Sequence, residues 1–180
     1  MTSSTECGLA WDRPNLAGPD TIRLHSPDFD DNGRIPSIHA AVRAGGENLS
    51  PALVWIATAA SAQLLLIIED PDAPTRTPYL HCLALLDGSL RGLERGALSA
   101  PVDANGVQFA LSPAEAGYLG PAPPKSHGPH RYVFQLFAVA APLDLDAKAG
   151  SQSLAALTER LVSNADVRAR GRLNGTYRRT

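Results

Sequence analysis

His130-Arg131-Tyr132-Val133-Phe134-Gln135-Leu136-Phe137 is a run of aromatic, β-branched and long side chains, a composition that favours an extended strand. A period of two puts His130, Tyr132, Phe134 and Leu136 on one face and Arg131, Val133, Gln135 and Phe137 on the other. Large apolar groups on both faces predict a central strand covered from both sides. Outward from it, Gln63 to Glu69 and His81 to Leu86 repeat this apolar pattern. Thr21 to His25, His39 to Arg43 and Leu53 to Ile56 are shorter runs bounded by turn formers such as Asp31-Asn32-Gly33 and Gly45-Gly46. The fold class expected from these runs is mainly β.

One segment follows a helical period. Leu154, Leu157, Leu161 and Val162 fall at i, i+3, i+7 and i+8 behind Ser153. That pattern predicts a helix over about 151–164 with Ser153 as its N-cap and its apolar stripe on a sheet. Arg168 to Arg179 holds five arginines and reads as a solvated basic tail. Residues 1–20 read as an irregular lead-in, and 21–180 as a single domain.

The chain has 180 residues, 44% hydrophobic and 19% charged, with 15 Gly and 15 Pro, a length that suits one hydrophobic core. Its net charge of −2 gives no overall cationic field for nucleic acid. Apolar runs such as Leu64 to Ile68 fall far short of the roughly 20 residues of a membrane span. The first residues show neither a basic nor an apolar signal region, so a cytoplasmic location is expected. Cys7 and Cys82 fit neither a disulfide framework nor zinc spacing, and Cys82 reads as a core residue.

Three segments concentrate groups that folding alone does not need. Asp70-Pro71-Asp72-Ala73-Pro74 follows an apolar strand. Its prolines fix φ and stiffen the exit, so Asp70 and Asp72 are presented in set directions. A turn holding two prolines is also where a cis X-Pro bond is expected. The second segment places His81 at the entrance of an apolar strand. In the third, Gly117 to Pro124 precedes His130 and Tyr132, which share a strand face. Its small residues let backbone N–H groups approach a ligand.

Asp70-Pro71-Asp72-Ala73-Pro74, the later strand histidine, Gly120-x-x-Pro123-Pro124 and His130-Arg131-Tyr132, in that order, resemble the phosphatidylethanolamine-binding protein family, whose members are also called Raf kinase inhibitor-like proteins. Asn48-Leu49-Ser50-Pro51-Ala52-Leu53-Val54-Trp55 and Gly175-Thr176-Tyr177 extend the likeness, and the compact form is similar to the bacterial and archaeal branch. The resemblance implies a large antiparallel sheet packed on a smaller one, with a helix near the C-terminus and a small anion pocket at one end. Asp70, His81, His130 and Tyr132 would line that pocket, Ala122 and Gly120 would supply its backbone, and Asp72 and Pro74 would complete the wall.

The chemistry of these groups fits an anion site, since imidazole, phenol and backbone amide all donate to phosphate oxygens. Asp70 needs a separate role: it either accepts from a histidine or meets the ammonium of a zwitterionic head group. The leading expectation is a binding module without a cofactor. It would take a phosphate-like anion as phospholipid head group, nucleotide or phosphorylated residue, and would act on a protein partner as a kinase- or protease-inhibitor-like regulator. A homodimer is left open. The alternative is a hydrolase using Asp and His, with a metal on Asp70, Asp72, His81 and His130 as a third reading.

Overall fold

Leu64-Leu65-Leu66-Ile67-Ile68 has no polar face, so it is stable only between two apolar layers, and the architecture supplies both. The computed structural model describes residues 8–57, 60–99, 105–113, 117–143, 154–163 and 165–180. In chain order the strands are β1 (Arg23–His25), β2 (Gly33–Arg34), β3 (Leu53–Ile56), β4 (Gln63–Asp70), β5 (Tyr79–Asp87), β6 (Gly92–Leu93), β7 (Val107–Leu111), β8 (His130–Val139) and β9 (Val167–Tyr177), with helix α1 (Leu154–Ser163) before the last.

Six strands form the large sheet in the order β2-β9-β8-β4-β5-β7, and β1-β3-β6 form the small one. All pairs are antiparallel except the two-residue β2, which runs parallel to β9. Every residue of β4 is buried. Leu64, Leu66 and Ile68 join Phe134, Leu136, Trp55 and Leu53 in the core between the sheets. Leu65 and Ile67 join Phe137, Leu157 and Leu161 in a second core on the opposite face, under α1. The expected mainly β fold, with a larger sheet, a smaller sheet and one helix, is present. The Ser153 cap lies outside the described residues.

Three local expectations are corrected, and one strand is added. His39 to Arg43 is not a strand: Ser37–His39 and Val42–Ala44 are 3-10 turns. Pro36 precedes them, and Gly45 ends them in the left-handed region at φ 85°, a conformation glycine adopts without a Cβ penalty. The basic end is not a solvated tail, because β9 pairs with β8 along its length. Ala169, Gly171, Leu173, Gly175 and Tyr177 alternate inward, and glycine is required at two of these positions. A Cβ at Gly171 would stand 2.2 Å from the Ile22 carbonyl oxygen, and one at Gly175 would stand 2.6 Å from Ile35 Cγ1. β7, which carries no strong sequence signal, adds the outer strand of the large sheet beside β5. Finally, the X-Pro bonds in Asp70–Pro74 are trans. The reversal there is made instead by the Asp72 N–H donating to Asp70 Oδ1 at 2.8 Å, an Asx turn that needs no cis bond.

The segment before β1 is tied to the second core. Ala10 and Leu16 are fully buried, and the Ala10 N–H donates to the buried Glu69 carboxylate at 2.8 Å. The Trp11 N–H donates to Gln135 Oε1 at 2.7 Å. Arg170 lies over the Trp11 ring at 3.9 Å and donates to Trp11 O and Asp20 Oδ1.

Candidate functional site

The ends of β4, β5 and β8 meet at one edge of the large sheet, and the chemistry-bearing residues gather there around a cleft of about 290 Å³. Asp70 is the last residue of β4, His81 stands near the start of β5, and His130 and Tyr132 open β8. All four line the cleft, together with Pro74 and Ala122. Each of the four is at most 4% exposed.

His130 Nδ1 lies 2.7 Å from Asp70 Oδ2. A carboxylate only accepts, so His130 holds its proton on Nδ1 and its Nε2 is the position left for other partners. Asp70 is fixed in turn by the Asp72 N–H. Asp72 accepts from the Arg131 backbone N–H at 2.8 Å and from its guanidinium at 2.8 and 2.6 Å. The Arg131 guanidinium holds the Asp72 carboxyl below its ordinary range against the opposing effect of burial. Asp72 therefore orients the turn from behind and lines an adjoining hollow rather than the cleft.

His81 is held the other way round. Its Nδ1 lies 2.7 Å from the Leu119 carbonyl oxygen, so Nδ1 donates, and the Leu119 N–H donates back to the His81 carbonyl at 2.9 Å. Burial pushes the imidazole pKa down, against the opposing effects of the Leu119 carbonyl and the Asp70 charge. The ring is thus neutral near pH 7 and presents a bare Nε2 lone pair. His81 suits a ligand donor, an ammonium or a P–OH, where the sequence led us to expect a second donor to phosphate.

Tyr132 packs edge-on against His81, ring centroids 5.0 Å apart. Its hydroxyl is buried and makes no hydrogen bond. The Ala122 N–H faces it and opposes the upward push that burial gives the phenol pKa, without reaching bonding geometry. A buried hydroxyl without a partner costs stability unless something else supplies one.

Gly120 does not line the cleft. Its N–H donates to Asn48 Oδ1 at 2.7 Å, and a Cβ there would stand 2.2 Å from the His39 carbonyl oxygen. It fixes the loop that places Leu119 and Ala122. Asn48, with φ 56°, also donates from Nδ2 to the Tyr118 carbonyl at 3.0 Å. Arg43 and Tyr79 line the cleft too. The sequence singled out neither: Arg43 sits on a 3-10 turn remote in sequence from the motifs, and Tyr79 lies two residues before His81 at the start of β5. Arg43 is exposed, and its charge acts on both His81 and Tyr132, so it is a cation at the mouth of the cleft. Cys82 is fully buried, and burial pushes its thiol pKa far up, so it stays a packed thiol. Among the described residues no group of three or more His, Cys, Asp or Glu could hold a metal ion, and no helix is long and apolar enough to cross a membrane.

The family model for phosphatidylethanolamine-binding protein matches residues 25–177. A UPF0098 protein of Methanothermobacter thermautotrophicus is 34% identical over 160 residues, covering 88% of this chain and 99% of its own. A putative lipoprotein, LppC, of Mycobacterium tuberculosis is 31% identical over 160 residues, covering 87% of this chain and 72% of its own. In three dimensions, a putative phosphatidylethanolamine-binding protein homologue of Chlamydia trachomatis superposes with a TM-score of 0.71 at 26% identity, covering 89% of this chain and 99% of its own. With the family's motif residues gathered at one sheet edge and its model spanning nearly every element of the fold, the chain belongs to the phosphatidylethanolamine-binding protein family.

Proposed function

We propose that this protein is a binding module whose cleft takes a phosphate-containing group, with a regulatory rather than a catalytic role. The observation that carries the reading is the Tyr132 hydroxyl, buried in the cleft wall without a hydrogen-bond partner and facing the Ala122 N–H. One ligand oxygen can accept from the hydroxyl and supply the partner it lacks. Arg43 at the mouth adds the positive charge that an anion needs.

The other wall sets what accompanies the phosphate. Asp70 already accepts from His130, and neutral His81 offers only an acceptor. Two acceptors beside an anion site fit a ligand that also donates: an ammonium, as in phosphoethanolamine, or a monoprotonated phosphate. A fully ionised dianion without a donor is disfavoured.

The test is calorimetric titration with phosphoethanolamine, inorganic phosphate and ethanolamine. Binding of phosphoethanolamine above that of its two halves supports the reading, and equal weak binding of all three sinks it. Phosphomonoesters, phosphodiesters and peptides incubated with and without Zn²⁺ and Mg²⁺ should remain intact. Turnover lost in both Asp70→Asn and His130→Ala would make the protein a hydrolase instead.

A further inference from the structure

Three hollows lie in a line at this edge of the molecule. The cleft and a neighbouring hollow of about 440 Å³ share His130. That hollow shares Pro129 and Thr176 with a third, of about 270 Å³, whose wall carries Arg34 and Arg178. The sheet register explains the alignment. Thr176 on β9 pairs with Arg131 on one side and with Arg34 on the other, so the three side chains form a row across β8, β9 and β2 on one face. Arg178, just beyond the end of β9, lines the third hollow with Arg34, Thr176 and Thr180.

The cations in this row differ in their partners. Arg131 is committed to Asp72. Arg34 and Arg178 are exposed, and neither has a carboxylate within ion-pair distance among the described residues. Two guanidinium forks in one hollow make a site for a carboxylate or phosphate. Among the described residues their guanidinium groups have no hydrogen-bond or ion-pair partner.

The geometry points to a second anion subsite at Arg34 and Arg178, joined to the cleft by the hollow between, whose shared occupant is an extended polypeptide segment with a phosphorylated residue in the cleft and acidic residues beyond it. The inference rests on the cleft taking a phosphate-containing group. A polypeptide fits better than a nucleic acid because of what lies between the two cationic ends. Asp72 and Arg131 line the middle hollow as a closed ion pair, so the middle offers no free cation to a backbone that carries a phosphate at every unit. A peptide spaces its charges by residue choice, and its own N–H groups can donate to Asp72. His127, exposed and stacked on His130 at 5.7 Å, offers a ring surface at the crossing. From Arg131 to Arg34 is two strand spacings, about 10 Å, or about three residues of extended chain.

The experiment compares two fluorescent peptides with a central phosphoserine. One carries glutamate at the third to fifth positions on either side, and the other carries alanine there. Wild type should bind the glutamate peptide at least tenfold more tightly. Arg34→Gln combined with Arg178→Gln should abolish that difference while leaving phosphoethanolamine affinity and melting temperature unchanged. No gain from glutamate, or a gain that survives the double variant, overturns the subsite. A single-stranded oligonucleotide of equal charge that binds as tightly, and with the same sensitivity to the double variant, overturns the polypeptide assignment. If the glutamate gain and its dependence on the arginines persist when serine replaces phosphoserine, with no loss of affinity and no phosphoethanolamine binding, the cleft reading has failed and the arginine site stands alone.

Discussion

His130 donates from Nδ1 to Asp70 across 2.7 Å, with the two side chains 3% and 5% exposed. The pair joins the last residue of one central strand to the first residue of its neighbour. Arg131, the next residue along, holds Asp72 and through it the turn that sets Asp70. Two adjacent residues of β8 thus fix the same turn from opposite sides, one in the cleft and one behind it.

Asp70→Asn should therefore release the tautomer of His130. An amide does not hold the Nδ1 proton with the strength of a carboxylate, so the Nε2–H form should become populated in ¹⁵N imidazole spectra. Phosphoethanolamine affinity should change with it. An unchanged tautomer would mean that Asp70 does not orient the ring.

Tyr132→Phe separates stability from binding. The hydroxyl has no partner to lose, so thermal stability should hold or rise by about 1 kcal/mol, while phosphate-group binding should weaken by about 0.5–1.5 kcal/mol, a few-fold to tenfold. A drop in melting temperature would show that the phenol is already bonded in the free protein.

Among the histidines, His81→Ala and His130→Ala should each weaken phosphoethanolamine binding by about tenfold or more. His25→Ala and His127→Ala should not, because both are exposed and neither lines the cleft. Equal losses at all four positions would remove the cleft as the site.

Acid should destabilise the protein in two steps. The His81 pKa is lowered by burial from 6.5, so the unfolded chain binds the extra proton first, and stability falls as pH drops below about 6.5. Asp72 is lowered from 3.8, chiefly by Arg131. Its contribution is present above that value and lost below it, in a step that Asp72→Asn should remove. Melting temperature followed against pH checks both steps, and NMR titration should show His81 still neutral at pH 6.5.

Glu69 accepts from the Ala10 N–H and from Gln135 Nε2 through one oxygen, Oε2, and burial pushes its pKa up. Its folded form favours the proton, so its contribution is full below the ordinary carboxyl range and declines as pH rises through the folded value. Glu69→Gln keeps one acceptor for both donors without the charge and should be neutral or stabilising at pH 7. Glu69→Ala strands two buried donors, costing about 3 kcal/mol, and should open the chain around Ala10 to Leu16 to protease. Equal protection in both variants would mean that Glu69 does not anchor this segment.

The sequence by itself determined the elements whose signal is local. The apolar runs of β4, β5 and β8 have no polar face to give to water, the 3.6-residue stripe of α1 has one apolar side, and the two prolines after Asp70 stiffen a turn whatever surrounds it. The order of the motifs also named Asp70, Pro74, His81, Ala122, His130 and Tyr132, which line the cleft, together with Asp72 and Gly120, which do not. What only the tertiary structure decided depends on contacts between distant parts of the chain. β9 looked like a tail because two of its inward positions are glycines, and their need appears only when Ile22 and Ile35 press against them. Arg43 enters the site because Ala41 bonds to Pro121 across the fold. His81 turns from donor to acceptor because a carbonyl from a remote loop takes its Nδ1 proton while burial keeps the ring neutral. Local periodicity records which face of a segment avoids water; it does not record which distant group will meet that face, and the chemistry of this cleft depends on that meeting.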